Sequence, residues 1–142
     1  MLRRVVAALL FLCATAGLGH AQADLSAADR TAIQGVITRQ IEAFRNDDAE
    51  TAFGFASPGI QSQFGTPGRF LDMVRRAYPA VHRPRAMEFT GLRLDDGAVV
   101  QEVELVGPDG ALELALYAME RDSAGTWRIA GCTLVPSERV RT

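Results

Sequence analysis

Five arginines, Arg69, Arg75, Arg76, Arg83 and Arg85, fall within a stretch of seventeen residues that holds one acid, Asp72. A guanidinium pairs with oxyanions in a two-point fork, so this cluster is a candidate rim for a carboxylate, a phosphate or an acidic protein surface. A plainer reading competes with it. Asp72 lies three or four residues from Arg69, Arg75 and Arg76, close enough to pair with them along one helix and leave a solvated charged face.

His82 is the one histidine outside the N-terminal leader described below, and it sits in Tyr78-Pro79-Ala80-Val81-His82-Arg83-Pro84, which reads as an exposed loop. As a general base it would need a cavity and a partner such as Asp72, Glu88 or Tyr78. One histidine without clustered carboxylates falls short of a metal ligand set, so no metal is expected. Gln40 and Gln101 occupy positions that otherwise read as apolar. Either they orient a small ligand in a pocket or they reach water or backbone groups at the margin of the core. The pairs Asp47-Asp48 and Asp95-Asp96 have structural explanations, in helix capping and in a turn. Cys132 is the one cysteine left beyond the leader, so no internal disulfide is expected, and a lone thiol is commonly a small buried hydrophobe. The chain shows no hydrolase elbow, dinucleotide fingerprint, phosphate loop or paired-histidine zinc motif, and no cofactor is expected.

The elements that must hold these residues follow from periodicity. Ser26 with Asp29 at the third position predicts a capped helix, and Ile33, Val36, Ile37, Gln40, Ile41 and Phe44 form its apolar stripe to near Asn46. Asp47 with Glu50 predicts a capping box for a short second helix, broken at Ser57-Pro58-Gly59. Ile60 and Phe64 fit one helical turn. Thr66-Pro67 opens a third helix, with Phe70, Met73, Val74 and Ala77 on its apolar face and Tyr78-Pro79 at its end. From Arg85 the period becomes two. Strands are predicted over about 86–94, 98–106, 111–120 and 126–135, separated by Asp96-Gly97, Pro108-Asp109-Gly110 and residues 122–125. Short links make neighbours antiparallel, so the expected fold class is α+β: N-terminal helices packed on a four-stranded antiparallel meander. On the third strand Leu112, Leu114 and Leu116 share one face while Ala115, Tyr117 and Met119 share the other. A strand apolar on both faces is expected to be covered on both, by helices on one side and by a partner on the other.

The first residues carry an address. Arg3 and Arg4 precede an apolar run over residues 5–16, and Ala21-Gln22-Ala23 supplies small residues for a signal peptidase. The run is well short of the roughly 20 apolar residues that a bilayer span needs. Cleavage between Ala23 and Asp24 is expected, giving a periplasmic or secreted product of one domain over residues 24–142, with no membrane span. That product carries thirteen arginines against seventeen acids, a net charge of −4, which argues against a nucleic-acid partner.

The strings Gln40-Ile41-Glu42-Ala43-Phe44 and Ala52-Phe53-Gly54-Phe55-Ala56-Ser57-Pro58-Gly59-Ile60, the later Thr66-Pro67 and the closing Gly125-Thr126-Trp127-Arg128-Ile129 resemble the uncharacterised domain-of-unknown-function family 4864. That family looks like a branch of the nuclear transport factor 2-like superfamily. The resemblance implies a cone: a curved sheet wrapped round helices, with a cavity at its open end. Gln40, Phe44, Phe70, Val74, Tyr78, Phe89 and Gln101 are the pocket candidates. Superfamily relatives include isomerase-like and dehydratase-like enzymes as well as binding and dimerisation modules, and the family transfers no catalytic residue.

The leading expectation is therefore an exported, non-catalytic module that binds a small molecule or a protein and forms a homodimer through its sheet. The alternative is an acid-base enzyme of the isomerase or dehydratase kind, with His82 or a carboxylate in the cavity beside Tyr78 or Tyr117. A third reading, an envelope protein with a structural role, predicts a cone filled by side chains.

Overall fold

Ser26 opens the first helix in the computed structural model, which describes residues 25–137. The predicted leader and its predicted Ala23/Asp24 junction lie outside the described residues. The Ser26 hydroxyl accepts from the Asp29 amide at 3.0 Å, and the Asp29 carboxylate accepts from the Ser26 amide at 3.1 Å. This reciprocal box satisfies orphan donors at the start of α1 (Ala27–Arg45). The same carboxylate accepts from Arg121 Nη2 at 2.6 Å and from Trp127 Nε1 at 3.3 Å, fixing the start of the helix to the far end of the sheet.

The helix ends in a left-handed turn. Asp47 has φ 52°. Its amide donates to Phe44 O at 3.0 Å, and the Asp48 amide donates to Ala43 O at 2.8 Å. These are the two bonds of a Schellman motif, with Asp where glycine is usual. Asp48, not Asp47, then caps α2 (Ala49–Gly54) by accepting from the Thr51 amide at 3.2 Å. The predicted Asp47–Glu50 box is thereby corrected: one aspartate closes a helix and the next opens another. Ser57 caps α3 (Pro58–Phe64), and Thr66 caps α4 (Pro67–Ala77). The segment predicted as a loop after Tyr78 instead holds a further turn, α5 (Pro79–His82). Pro79 both stops α4 and supplies a pre-set first residue for α5, so it acts at two boundaries. The described residues thus contain five helices where the sequence predicts three and a single turn.

The strands are β1 (Ala86–Asp95), β2 (Ala98–Val106), β3 (Leu112–Arg121) and β4 (Trp127–Pro136), in the sheet order β1-β2-β3-β4, every pair antiparallel. Asp96 and Gly97 have φ 48° and 81°, the two positive values that a type I′ hairpin requires. The fold is α+β, with the helices before the meander and packed against it. Val99, Val103 and Leu105 of β2, Ala115, Tyr117 and Met119 of β3, and Trp127 and Ile129 of β4 meet Ile33, Ile37, Ile41 and Phe44 of α1 in one buried core. The pairing shifts register between Phe89 and Leu92 and between Ala118 and Met119. Such irregularities bend a strand and increase its local twist. On the opposite face Leu112, Leu114 and Leu116 remain half-buried.

The helical layer is also stitched to the sheet through backbone. The Ile129 amide donates to Phe55 O at 2.9 Å, and the Ser57 amide donates to Ile129 O at 2.8 Å. Ala56 thereby forms a one-residue parallel bridge on β4.

Candidate functional site: a cleft between the helices and the inner sheet

Phe70 is the centre of an aromatic wall. Its ring centroid lies 5.8 Å from that of Phe44, 5.5 Å from Phe53 and 5.7 Å from Phe64, all tilted, as ring quadrupoles prefer. The α4 stripe predicted from sequence brings Phe70 and Val74 inward, and α1 supplies Gln40 and Phe44. Together with Ile60 of α3 and Tyr78 at the α4–α5 junction they line a cleft of about 240 Å³. Its sheet side is Tyr117 of β3 and residues 129–132 of β4. Five of the seven pocket candidates thus converge: Gln40, Phe44, Phe70, Val74 and Tyr78. Phe89 and Gln101 are not among the lining residues. Phe89 packs half-buried against the core. Gln101 is buried on β2, where its Nε2 donates to Gly91 O at 3.0 Å and to Glu102 O at 2.9 Å, holding the irregular stretch of β1. The Gln40 side chain likewise serves backbone, donating to Ala52 O at 3.1 Å and tying α1 to α2.

Two polar groups meet in the cleft: Tyr117, expected in a cavity under the catalytic alternative, and Cys132, expected as a small buried hydrophobe. Tyr117 and Cys132 are direct cross-strand partners, and Gln101 faces Tyr117 from the other side, so the three form one row across the sheet. Tyr117 is 1 % exposed, and its hydroxyl has no hydrogen-bond partner among the described residues. Burial, and secondarily the adjacent thiol, push the phenol well above its ordinary range. Burial also pushes the Cys132 thiol up to about 12. It therefore stays protonated and is not a nucleophile at neutral pH.

The charged residues and His82 gather elsewhere. The left-handed turn that ends α1 presents the Asp47 carboxylate to α4 and α5. Oδ1 lies 3.0 Å from Arg75 Nη2 and 3.0 Å from His82 Nε2, and Oδ2 lies 3.0 Å from Arg83 Nη2. The hydrogen bonds from His82 and Arg75, then the charges of Arg75 and Arg83, hold Asp47 down at about 2. His82, expected in a solvent-exposed loop, has a side chain only 14 % exposed. Its partner is Asp47, not Asp72, Glu88 or Tyr78. The sequence conceals this convergence because Asp47 is 35 residues away and reads as a cap.

The five arginines divide among separate places. Arg75 and Arg83 bind Asp47, and Arg75 also approaches Asp72 at 3.6 Å. Arg69 and Arg76 flank a shallow hollow on α4 beside Asp72. Arg85 lies by the β2–β3 turn near Gly110. No group of three or more metal-ligating side chains occurs among the described residues.

Asp47 joins α1, α4 and α5, three elements that wall the cleft, so its charge bears on the stability of the site. Its folded pKa lies below the model-peptide value of 3.8. The stabilisation is therefore fully present above that value and is lost as pH falls toward 2. The expected outcome for Asp47→Asn, which keeps a residue tolerant of positive φ, is a lower melting temperature at pH 7. The gap from wild type should narrow on acidification from pH 4 to pH 2. A constant gap across that range would show that the charge plays no part.

Residues 26–142 match the family described as a domain of unknown function (DUF4864). A solved structure from Catenulispora acidiphila is similar in fold, with a TM-score of 0.50 and 19 % sequence identity, covering 80 % of this chain and 94 % of that one. No curated protein matches the chain.

Proposed function

We propose that this chain, which belongs to the DUF4864 family, is a binding module that holds a small, mostly apolar molecule in the cleft between its helices and sheet. The observation that carries this reading is the cleft itself: about 240 Å³, walled by aromatic and aliphatic side chains, with few polar groups among them. Binding sites have this make-up, apolar walls for affinity and sparse polar atoms for orientation. The helices-then-meander order fits the nuclear transport factor 2-like cone that the sequence resembles, and that architecture supports a cavity at this end. The leader supports an address outside the cytoplasm.

Binding is favoured over acid-base catalysis by where the histidine and the carboxylates lie. No histidine or carboxylate is among the lining residues, and His82 is engaged with Asp47 at 3.0 Å. A reading as a filled structural cone is disfavoured by the cleft. A second copy on the outer sheet face is favoured by the half-buried row of Leu112, Leu114 and Leu116.

The test is native mass spectrometry of the protein purified from its source under conditions that preserve non-covalent complexes. The expected spectrum carries a small-molecule adduct that disappears on denaturation, and re-adding that molecule should raise the melting temperature. At a hundredfold excess over its dissociation constant the stabilisation is about 2.7 kcal/mol. A bare chain, with no stabilisation after incubation with a small-molecule extract of the source, counts against the proposal. The same spectrum reads the mass of the assembly, and a strict monomer at high concentration removes the outer-face dimer.

A further inference from the structure

The binding reading leaves the chemistry of the occupant open, and the inference drawn here rests on that reading. Tyr117 lines the cleft, is 1 % exposed, and has a hydroxyl without a partner. Buried polar groups in folded proteins are nearly always hydrogen-bonded, so an orphan at a cleft marks where a partner is missing. Its neighbour Cys132 is a poor substitute. Sulfur is a weak acceptor: the thiol lies close enough to perturb the phenol, yet the pair does not reach the geometry of a full hydrogen bond. The lining also lacks any charged side chain. The charged cluster of Asp47, Arg75, His82 and Arg83 lies outside the lining.

We propose that the cleft selects a neutral one- or two-ring molecule carrying a carbonyl-type oxygen, which accepts a hydrogen bond from the Tyr117 hydroxyl. Each part has a separate reason. Neutrality follows from the uncharged lining, because a carboxylate taken from water into such a site loses far more than one hydrogen bond returns. An accepting oxygen follows from the phenol, whose lone pairs are shared with its ring, so that it donates better than it accepts. Burial keeps that phenol protonated, and therefore a donor, at every physiological pH. Rings follow from the wall formed by Phe44, Phe64 and Phe70. Size follows from the volume, about 240 Å³, which lies below the roughly 300–1,000 Å³ of pockets for drug-sized ligands.

The experiment measures binding of acetophenone, ethylbenzene and benzoate, with 1-tetralone and tetralin as a larger pair. It uses ligand-observed NMR titration of the intact protein and of Tyr117→Phe. In the wild type each ketone should bind about tenfold more tightly than its hydrocarbon, the return on one neutral hydrogen bond, and benzoate should bind most weakly. Tyr117→Phe should erase the ketone preference and leave hydrocarbon affinity unchanged. Equal binding of ketone and hydrocarbon to the wild type overturns the oxygen-recognition inference while the binding reading stands. Tightest binding by benzoate overturns the neutral-ligand inference. No binding by any of the five probes removes the cleft as a small-molecule site, and this inference with it. The wild-type comparisons decide the matter even if the variant folds poorly.

Discussion

Ile37→Ala is expected to unfold with about 2–5 kcal/mol less free energy than the wild type, the range for truncating a fully buried isoleucine. Ile37 is 0 % exposed at the middle of α1, where it belongs to the stripe that meets the inner sheet. Its neighbours Ile33, Ile41 and Phe44 are held by α1's own geometry and by the Asp29 and Asp47 anchors at the helix ends, so the cavity cannot collapse cheaply. Domains of this size have about 5–15 kcal/mol in all, so this single truncation removes a large fraction. Urea unfolding followed by the fluorescence of Trp127, the one tryptophan in the chain, should show a lower midpoint with an unchanged slope. Leu94→Ala is the control. Leu94 is 44 % exposed, and its truncation should change stability by no more than about 0.5 kcal/mol. Equal midpoints for the two variants would place Ile37 outside the core.

Tyr117→Phe is expected to act in the opposite direction and to raise the unfolding free energy of the empty protein by about 1–3 kcal/mol. The ring remains and fills the same space. What is lost is a buried hydroxyl with no partner, and leaving such a group unpaired costs about that much. Binding residues commonly impose this kind of burden on the ligand-free state. The same denaturant titration measures it. A loss of stability in Tyr117→Phe would mean that the hydroxyl already has a partner in the folded chain, and the cleft would then have no unmet donor to offer. Saturating ketone should narrow the gap between the two proteins by about 1.4 kcal/mol, the equivalent of the tenfold preference, because only the wild type gains the extra bond.

The helices, the strands and their order were legible because each signal was local. Ser26 and Asp29 announce a helix start by their spacing, and Asp96-Gly97 announces a hairpin by the positive φ that both residues adopt. The apolar stripe of α4 identified Phe70 and Val74 as inward, and the structure places both at the cleft. Gln40 and Gln101 show where local reasoning stops. Both are buried, as their apolar neighbours implied. Whether a buried amide faces a cavity or backbone depends on elements elsewhere in the chain, Ala52 for one and the irregular Gly91 stretch for the other. Asp47 was hidden for a different reason. A left-handed aspartate after a helix looks the same in sequence as a cap before the next one, and its partners Arg75, His82 and Arg83 are supplied by packing. The Tyr117–Cys132 pairing was contained in the strand register, but a period of two does not say which strands stand opposite each other at which residue.

The stitching of residues 55–57 to Ile129 has a bearing on how the molecule behaves in a crowd. β4 is an outermost strand, and outermost strands offer unpaired amides and carbonyls on which further chains can zip up. Here the two outward backbone groups of Ile129 are already occupied by Phe55 and Ser57. An intruding strand would have to prise away the α2–α3 corner before it could pair with this end of β4. The contact that docks the helical layer therefore also closes this end of β4 to strand addition.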